Sequence, residues 1–188
     1  MAQASACAFF VQGKDLWRLH CEEITMDIHF GRNHGKIDIS LTPMDRELYH
    51  RFFREFETDP MMGQTEQYVY DPAKVDALYK KDQASDKVVL MVIRDGEPIG
   101  SVKLKHIDTE KRSCELGIHM QNASVKGKGY GTKAEELALK YAFEKMGMEL
   151  VCAEALIGNT RSQHVLEKVG FCLTHQDSQH RYYAARKF

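Results

Sequence analysis

Apolar and polar residues alternate with the period of a β-strand near the start of the chain. The alternation covers residues 24–30 and 37–41, and the glycine-bounded segment 31–35 separates the two runs. Strict alternation over this length is typical of a strand with one buried face, and the intervening glycines favour a turn. These residues therefore predict a β-hairpin. Residues 7–21 are predicted as a further strand or ribbon.

Two helices are predicted after this hairpin. Thr42 is placed to cap the first helix and Pro43 to occupy its first turn, since these residue types are favoured there. Leu48 and Phe52 begin its apolar stripe, which continues at Phe53 and Phe56. Asp71-Pro72 opens the second helix, and its apolar residues are Val75, Leu78 and Tyr79.

The rest of the chain alternates between short apolar runs and helical patterns. Asp95-Gly96, between two apolar runs, predicts a tight hairpin turn. A helix is predicted at 132–146, and another runs from a cap at Asn159 to near Lys168, with Gly170 as its C-terminal glycine. Strands are predicted at 88–93, 99–107, 113–120, 150–157, 171–173 and 180–185. Antiparallel strands followed by a β-α-β crossover predict an α+β, or mixed-sheet α/β, fold.

A glycine-rich loop at residues 125–132 is the strongest indication of chemistry. Gly127, Gly129 and Gly131 alternate with bulkier residues, after a predicted strand and before a predicted helix. Such a loop can present successive backbone N–H groups, and the helix start adds further unpaired donors and a partial positive charge. Lys126 and Lys128 add charge, so the loop predicts a site for a phosphate or pyrophosphate. The glycine spacing fits neither a Rossmann motif nor a Walker loop.

Composition excludes several other classes of protein. The 188 residues carry a formal net charge of −1, with 43% apolar and 28% charged residues, as expected of one ordinary globular domain. The chain therefore gives no general indication of binding to nucleic acid or to a membrane. The five cysteines are widely spaced and the nine histidines lack metal-ligand spacing, so no disulfide framework and no metal site are expected. We find no secretion signal and expect a cytoplasmic protein.

Two motifs resemble those of the GCN5-related N-acetyltransferase (GNAT) superfamily. The loop at 126–131 is similar to the family's acetyl-CoA loop, with Lys126 where Gln or Arg is more usual. The segment 159–171 is similar to the N-x-x-S…E-K-x-G-F ending of the RimJ/RimL-type branch, which modifies ribosomal proteins. The likeness begins near residue 37, so we divide the chain into an N-terminal β-ribbon extension (1–35) and a GNAT domain (36–188).

The resemblance implies a three-layer fold, in which helices cover both faces of a mostly antiparallel twisted sheet. Two central strands separate, and acetyl-CoA, the expected cosubstrate, enters between them. Its pyrophosphate would lie over the glycine loop, and its pantetheine would pair with backbone near residues 118–120 and contact Asn159. The residues implied in cofactor binding are Ile118, Met120, Lys126, Gly127, Lys128, Gly129, Tyr130, Gly131, Thr132 and Asn159.

Acetyl transfer to an amine requires a base and a proton donor for the leaving thiol. Glu115 and His119 share one face of a predicted strand, opposite its apolar face, so both are candidate bases. Glu115 is preferred, although a carboxylate paired with a Lys or Arg on the sheet surface would explain it equally simply. The resemblance places Leu166 where many family members carry a Tyr that acts as general acid toward the leaving thiolate. It implies Ser162 as the hydrogen-bond partner of the CoA thiol instead. Ser162 could alternatively cap the helix start.

The amine acceptor is left open by the sequence. Aromatic residues and carboxylates between residues 52 and 71 would suit a polyamine, an aminoglycoside or a peptide N-terminus, but an amphipathic helix explains most of them. The alternative to an enzyme is a GNAT-type module that senses acyl-CoA without turnover. We expect neither a nucleic-acid partner nor a membrane, and a homodimer is an open possibility, with the N-terminal extension covering a sheet edge or extending the contact.

Overall fold

The computed structural model describes residues 37–187, which form one seven-stranded sheet with four α-helices. The predicted ribbon in residues 1–35 lies outside the described residues. The strands are β1 (Ser40–Pro43), β2 (Val88–Arg94), β3 (Glu97–Asp108), β4 (Ser113–Met120), β5 (Leu150–Leu156), β6 (Cys172–Gln176) and β7 (His180–Arg186). The helices are α1 (Arg46–Arg54), α2 (Pro72–Gln83), α3 (Tyr130–Lys140) and α4 (Thr160–Val169).

The sheet has the strand order β1-β2-β3-β4-β5-β7-β6. All neighbouring strands are antiparallel except β4 and β5, which are parallel and are joined by the crossover through α3. The predicted α+β fold with a mostly antiparallel sheet is confirmed. The single parallel pair lies in the middle of the sheet, next to the predicted glycine loop.

Alternate residues of β2 face opposite sides of the sheet, and both sides are covered by helices. Leu90 and Val92 lie in the main hydrophobic cluster, which includes residues of α3 and α4. Val89 and Met91 lie in a second cluster with residues of α1 and α2. A strand that is buried on both faces is the central layer of three, so the three-layer arrangement is also confirmed.

The start of α1 differs from the predicted one. Pro43 ends β1 and pairs with Leu90 of β2, while Asp45 is the N-cap and accepts a hydrogen bond from the Leu48 N–H at 2.8 Å. The prediction with Thr42 as cap was therefore wrong by three residues. An edge strand tolerates proline because one side of it needs no ladder hydrogen bonds, and aspartate caps a helix at least as well as threonine.

The other boundaries that position the site agree closely with the sequence. Asp95 and Gly96 have positive φ and form the predicted two-residue hairpin turn. Helix α3 begins at Tyr130, two residues before the predicted start, and continues beyond Lys140 as a π-helical turn over Tyr141–Lys145. Asn159 caps α4 and Gly170 ends it in the left-handed conformation, as predicted.

Candidate functional site

Strands β4 and β5 pair over only four positions and then separate. Their register runs from Ser113 opposite Leu150 to Leu116 opposite Ala153. Beyond this point, residues 117–120 of β4 still pair with β3 on their other side. The edge of β4 that faces β5 therefore has backbone groups with no strand beside them in the described sheet. An extended ligand with amide groups can pair there as an added strand would.

Two connected cavities occupy this separation. The larger, about 320 Å³, lies between the glycine loop and α4, and we call it the loop lobe. The smaller, about 200 Å³, lies along β4 and β5, and we call it the strand lobe. They meet at five residues that line both cavities, namely Met62, Ile118, Glu135, Asn159 and Ser162.

The structure brings most of the predicted cofactor-binding residues to the loop lobe. The predicted residues that line the loop lobe are Ile118, Met120, Lys126, Gly127, Gly129, Gly131, Thr132 and Asn159. Lys128 is exposed and does not line it. Tyr130 is buried in the core, with the Arg94 guanidinium 4.8 Å from its ring centre. The loop itself thus faces the cavity, while alternate side chains point away from it.

The glycine loop owes its path to two left-handed residues. Gly127 has φ = 72° and Gly129 has φ = 82°, a region that L-residues with a Cβ avoid. Gly129 is also the N-cap of α3 and has no side chain to bond the first N–H groups of the helix. These N–H groups lack intrahelical partners and carry the positive end of the helix dipole, so the loop lobe is suited to an anion.

A cluster of one carboxylate and two cations lies at the wall of the loop lobe. Asp59, from the loop between α1 and α2, lies 2.9 Å from Lys126 Nζ and also accepts a hydrogen bond from Arg161. Burial acts to raise the pKa of Asp59, but the hydrogen bonds and charges of its partners together hold it below its ordinary value. Arg161 was not singled out as a site residue, and Asp59 was considered only among the carboxylates that could suit an amine. Their contact joins positions 102 residues apart, so no local pattern predicts it.

Glu115 lines the strand lobe and is held by two basic side chains. It is buried, with Lys105 Nζ 2.7 Å from Oε1 and His106 Nδ1 2.8 Å from Oε2. A register shift in β3 and a positive φ of 52° at His106 aim both side chains of β3 at this carboxylate. The predicted base therefore lies in the cavity wall and is also paired with a lysine.

The other predicted catalytic residues lie in the same two cavities. His119 lines the strand lobe, and burial, reinforced by nearby lysines, lowers its pKa, so the imidazole is neutral near pH 7. Ser162 lines both lobes. Its backbone N–H donates to Asn159 Oδ1 at 3.1 Å, so the side chain that caps this helix is that of Asn159. Leu166, at the position where the resemblance implies a Tyr, is 2% exposed and offers no proton donor.

Glu135, which the sequence did not single out, lies where the two lobes meet. It belongs to α3, is 2% exposed, and its Oε2 has no hydrogen-bond partner among the described residues. Burial raises its pKa to about 8. Its position three residues after Thr132, on the buried face of the helix, is a signal that was available in the sequence.

The aromatic residues between positions 52 and 71 that were considered for binding the amine acceptor pack against one another, away from the two lobes. Phe53 and Phe56 both contact Tyr68, with ring centres 5.9 and 5.2 Å apart, in the cluster between α1 and α2. None of these three lines either lobe. From the loop between α1 and α2, Asp59 and Met62 reach the cavities instead. The amphipathic-helix explanation therefore accounts for the aromatic pattern.

Two further searches covered residues 37–187. No group of His, Cys, Asp or Glu in this range could hold a metal ion. No helix within it is long and apolar enough to cross a membrane. The described cysteines Cys114 and Cys172 are free thiols, and burial raises the pKa of Cys114 to about 12.

A mixed sheet that opens at its single parallel pair, beside a glycine loop, defines the fold class, and comparisons with known proteins identify the family. Residues 38–172 match the profile of the acetyltransferase (GNAT) domain. The chain belongs to this family of acetyltransferases.

Individual relatives match more distantly. YdaF of Bacillus subtilis (strain 168), which is named as a ribosomal N-acetyltransferase, is 32% identical over 80 residues. The matched segment spans 43% of this chain and 43% of YdaF. A spermidine N-acetyltransferase from Vibrio cholerae, in complex with CoA and spermine, shares the fold with a TM-score of 0.66, 19% identity, and coverage of 79% of this chain and 95% of that one. A dodecameric structure of the same enzyme gives a TM-score of 0.62 at 18% identity, with coverage of 79% and 93%.

Replacing Asp59 is expected to tighten CoA binding. In Asp59→Asn the carboxylate no longer competes with an anionic ligand for Lys126 and Arg161, while the amide oxygen can still cap the Met61 N–H. We expect Kd for CoA to fall about 3- to 10-fold, the effect of one charge-assisted contact. Calorimetric titration at low and high salt measures it. The exposed Glu66→Gln is the control, and weaker binding by Asp59→Asn would mean that Asp59 positions the cations instead.

Proposed function

We propose that the protein transfers an acetyl group from acetyl-CoA to a primary amine by direct attack in a ternary complex. The observation that carries this proposal is the pair of connected lobes at the separation of β4 and β5. The loop lobe suits the diphosphate and pantetheine of the cofactor, and the strand lobe is open to a second substrate. Such an arrangement holds the two reactants in contact and correctly oriented. This lowers the activation barrier, because the entropy of bringing them together is lost on binding rather than in the chemical step.

In this proposal the glycine loop and the start of α3 bind the pyrophosphate, assisted by Lys126. The pantetheine pairs with the free edge of β4 near Ile118 and Met120, and Asn159 contacts it from α4. A backbone N–H of the same edge would then be close to the thioester carbonyl and could stabilise the oxyanion that forms during attack.

Glu115 is the proposed base, with His119 as the second candidate. The attacking amine must lose a proton, and both side chains line the strand lobe. Lys105 pairs with Glu115 Oε1 at 2.7 Å and holds the carboxyl group in the cavity wall, where it can accept a proton either directly or through water. Ser162 is the proposed hydrogen-bond partner of the sulfur, since it lines both lobes.

The acceptor is proposed to be a protein N-terminus or a small amine such as a polyamine or an aminoglycoside. YdaF is named for ribosomal acetylation, and the solved relative from Vibrio cholerae is a spermidine enzyme with spermine bound. The strand lobe includes the carboxylates Glu115 and Glu154, which favour a cationic amine. A cytoplasmic location and a homodimer are proposed as well, and a higher assembly, as in the dodecameric relative, is the alternative.

An assay of free thiol release tests the activity. Acetyl-CoA is mixed with the protein and with a panel of amines that includes spermidine, an aminoglycoside and peptides with free N-termini, and thiol is measured with a chromogenic disulfide. Release that depends on one acceptor class supports the proposal. CoA binding without release for any amine would favour the sensor, which the apolar Leu166 makes the specific rival.

Glu115→Gln is expected to lower kcat about 100-fold, because a positioned base typically contributes on the order of 10²- to 10⁴-fold. The variant should keep its Kd for CoA, since the loop lobe is unchanged. Turnover rates and calorimetric titration measure this, with the exposed Glu110→Gln as control. A variant with the wild-type rate would leave Glu115 with only its ion pairs to Lys105 and His106.

A further inference from the structure

The reaction leaves one proton without a source in the residues considered so far. When the amine nitrogen bonds to the acetyl carbon, the C–S bond breaks and its electron pair goes to sulfur. The thiolate of CoA must then be protonated or strongly hydrogen-bonded if it is to leave easily. Leu166 cannot donate a proton, and the hydroxyl of Ser162 is a weak acid that would need a further source.

Glu135 occupies the place where such a donor is needed. The thioester has to lie where the two lobes meet, because the cofactor enters from one lobe and the amine from the other. Of the five residues that line both lobes, Glu135 alone has an ionisable side chain. It is fixed on the regular part of α3, between Thr132 and Leu139 on the buried face.

The environment of Glu135 keeps its carboxyl group protonated. The side chain is 2% exposed, and Oε2 has no partner in the described part of the chain. Burial alone accounts for the raised pKa of about 8, so the group is mostly neutral at pH 7. The titratable groups of β3, β4 and β5 that line the lobes are Lys105, Glu115, His119 and Glu154.

The opposite walls carry charges as well. From the loops, α4 and β7 the titratable groups along the cavities are Asp59, Lys126, Arg161, His164, Lys168 and His180. Of the cations that line the cavities, Lys126 and Arg161 are paired with Asp59, and Lys105 is paired with Glu115. None of these groups contributes to the shift at Glu135, whose cause is burial.

A buried carboxyl group with an oxygen that lacks a hydrogen-bond partner is unfavourable for folding. Between the ordinary pKa of a glutamate and about 8, the unfolded chain releases this proton while the folded chain retains it, so stability falls as pH rises through that interval. An apolar residue would avoid this loss, since the neighbours Ala134, Ala138 and Leu139 are fully buried in the hydrophobic core. A residue that costs stability at a cavity wall is typical of a functional group.

We propose that Glu135 is the proton donor to the sulfur of CoA, an inference that rests on the proposed acetyl transfer. As the C–S bond breaks, the Glu135 O–H proton passes to sulfur, giving the CoA thiol and a Glu135 carboxylate. The proton lost by the amine nitrogen goes to Glu115, and exchange with solvent restores both groups. No further reactant is required.

Glu135→Gln and Glu135→Leu test this role against Glu136→Gln. Glu136 is the next residue on the same helix, pairs with Lys133 and lines neither lobe. We expect both Glu135 variants to lower kcat about 100-fold, with Kd for CoA changed less than about 3-fold, and to lose the decline of wild-type activity above about pH 8. Glu136→Gln should keep the wild-type rate and profile.

Unfolding by urea gives a readout that does not depend on turnover. Glu135→Gln should gain stability over the wild type as pH rises from 5 to 8, because only the wild type loses stability over this interval. A pH-independent difference would mean that Glu135 is not buried as a neutral acid, and would overturn the proposal. An active wild type with unchanged Glu135→Gln kinetics would also overturn it. A wild type inactive with every amine would instead contradict the acetyl transfer on which the proposal rests.

Discussion

Gly129→Val is expected to lose CoA affinity by about 100-fold or more. Gly129 has φ = 82°, where a β-branched residue is strongly disfavoured, and a Cβ there would lie 2.8 Å from Ile37 Cδ1. The loop must therefore change its path, and N–H groups at the start of α3 turn away from the diphosphate. The loss of two charge-assisted hydrogen bonds, each worth about 1.5–3 kcal/mol, corresponds to this change in Kd.

Gly147→Val separates backbone strain from loss of the binding site. Gly147 has φ = 70° and no atom near its missing Cβ, and it lines neither lobe. Both variants should lose about 1–3 kcal/mol of stability from the disfavoured conformation, but only Gly129→Val should lose CoA binding in calorimetric titration. A folded Gly129→Val that binds CoA like the wild type would exclude the loop as the diphosphate site.

Asp82→Ala is expected to produce the largest loss of stability, about 3 kcal/mol. Asp82 is 2% exposed, accepts a 2.7 Å hydrogen bond from the Tyr49 hydroxyl, and pairs with Lys103 at 2.5 Å and with Lys87 at 3.6 Å. Removing the carboxylate leaves a buried hydroxyl and two cations without their partner, which is costly even for partly exposed lysines. Urea unfolding of the variant, with exposed Asp86→Ala as control, measures the loss.

The effect of Asp82→Ala should also depend on pH. Burial tends to raise the pKa of Asp82, but its hydrogen bonds and lysine neighbours hold the net pKa below its ordinary value. The stabilisation is thus complete above the ordinary pKa of an aspartate, about 4, and is lost as pH falls through the lower folded value. The gap between wild type and variant should be constant near neutral pH and narrow in acid. A constant gap down to pH 2 would contradict this account.

The network around Asp82 also bears on the site. Tyr49 lies on α1, Asp82 on α2 and Lys103 on β3, and Lys103 pairs across the sheet with Gly117 at the edge of the strand lobe. One carboxylate therefore joins both outer helices to the strand that supports β4. A loss of stability here should be accompanied by some loss of CoA affinity through the position of β4.

Local chemistry explains which parts of the fold the sequence could predict. Some features depend only on residues that are close in the chain, and the residue types predicted where they lie. They are the turns at Gly96 and Gly129, which have positive φ, and the helix caps at Asn159 and Gly170. The predicted start of α1 was wrong because two residues that are both good helix caps, Thr42 and Asp45, stand three positions apart. The choice between them was made by β1 pairing with β2, a contact that no local pattern contains.

Burial and long-range pairing explain what the sequence did not predict at the site. The helical period places Glu135 on an inward face, but only the packing of the described residues leaves its Oε2 without a hydrogen-bond partner. The ion pairs of Asp59 join segments that are distant in the chain, and the pairing of both Lys105 and His106 with Glu115 depends on the irregular register of β3 and β4. The aromatic residues near α1 formed a packed cluster, because apolar surface is more stable buried than lining an open cavity.

The short parallel contact between β4 and β5 has a consequence for the free protein. Four paired positions are all that join strands β1–β4 to strands β5–β7 within the sheet. The hydrogen-bond ladder is thus weakest at its centre, and the cofactor's own amides would continue it. A cofactor bound in the cleft would therefore link the two halves of the sheet. The melting temperature of the protein would then rise with the concentration of acetyl-CoA.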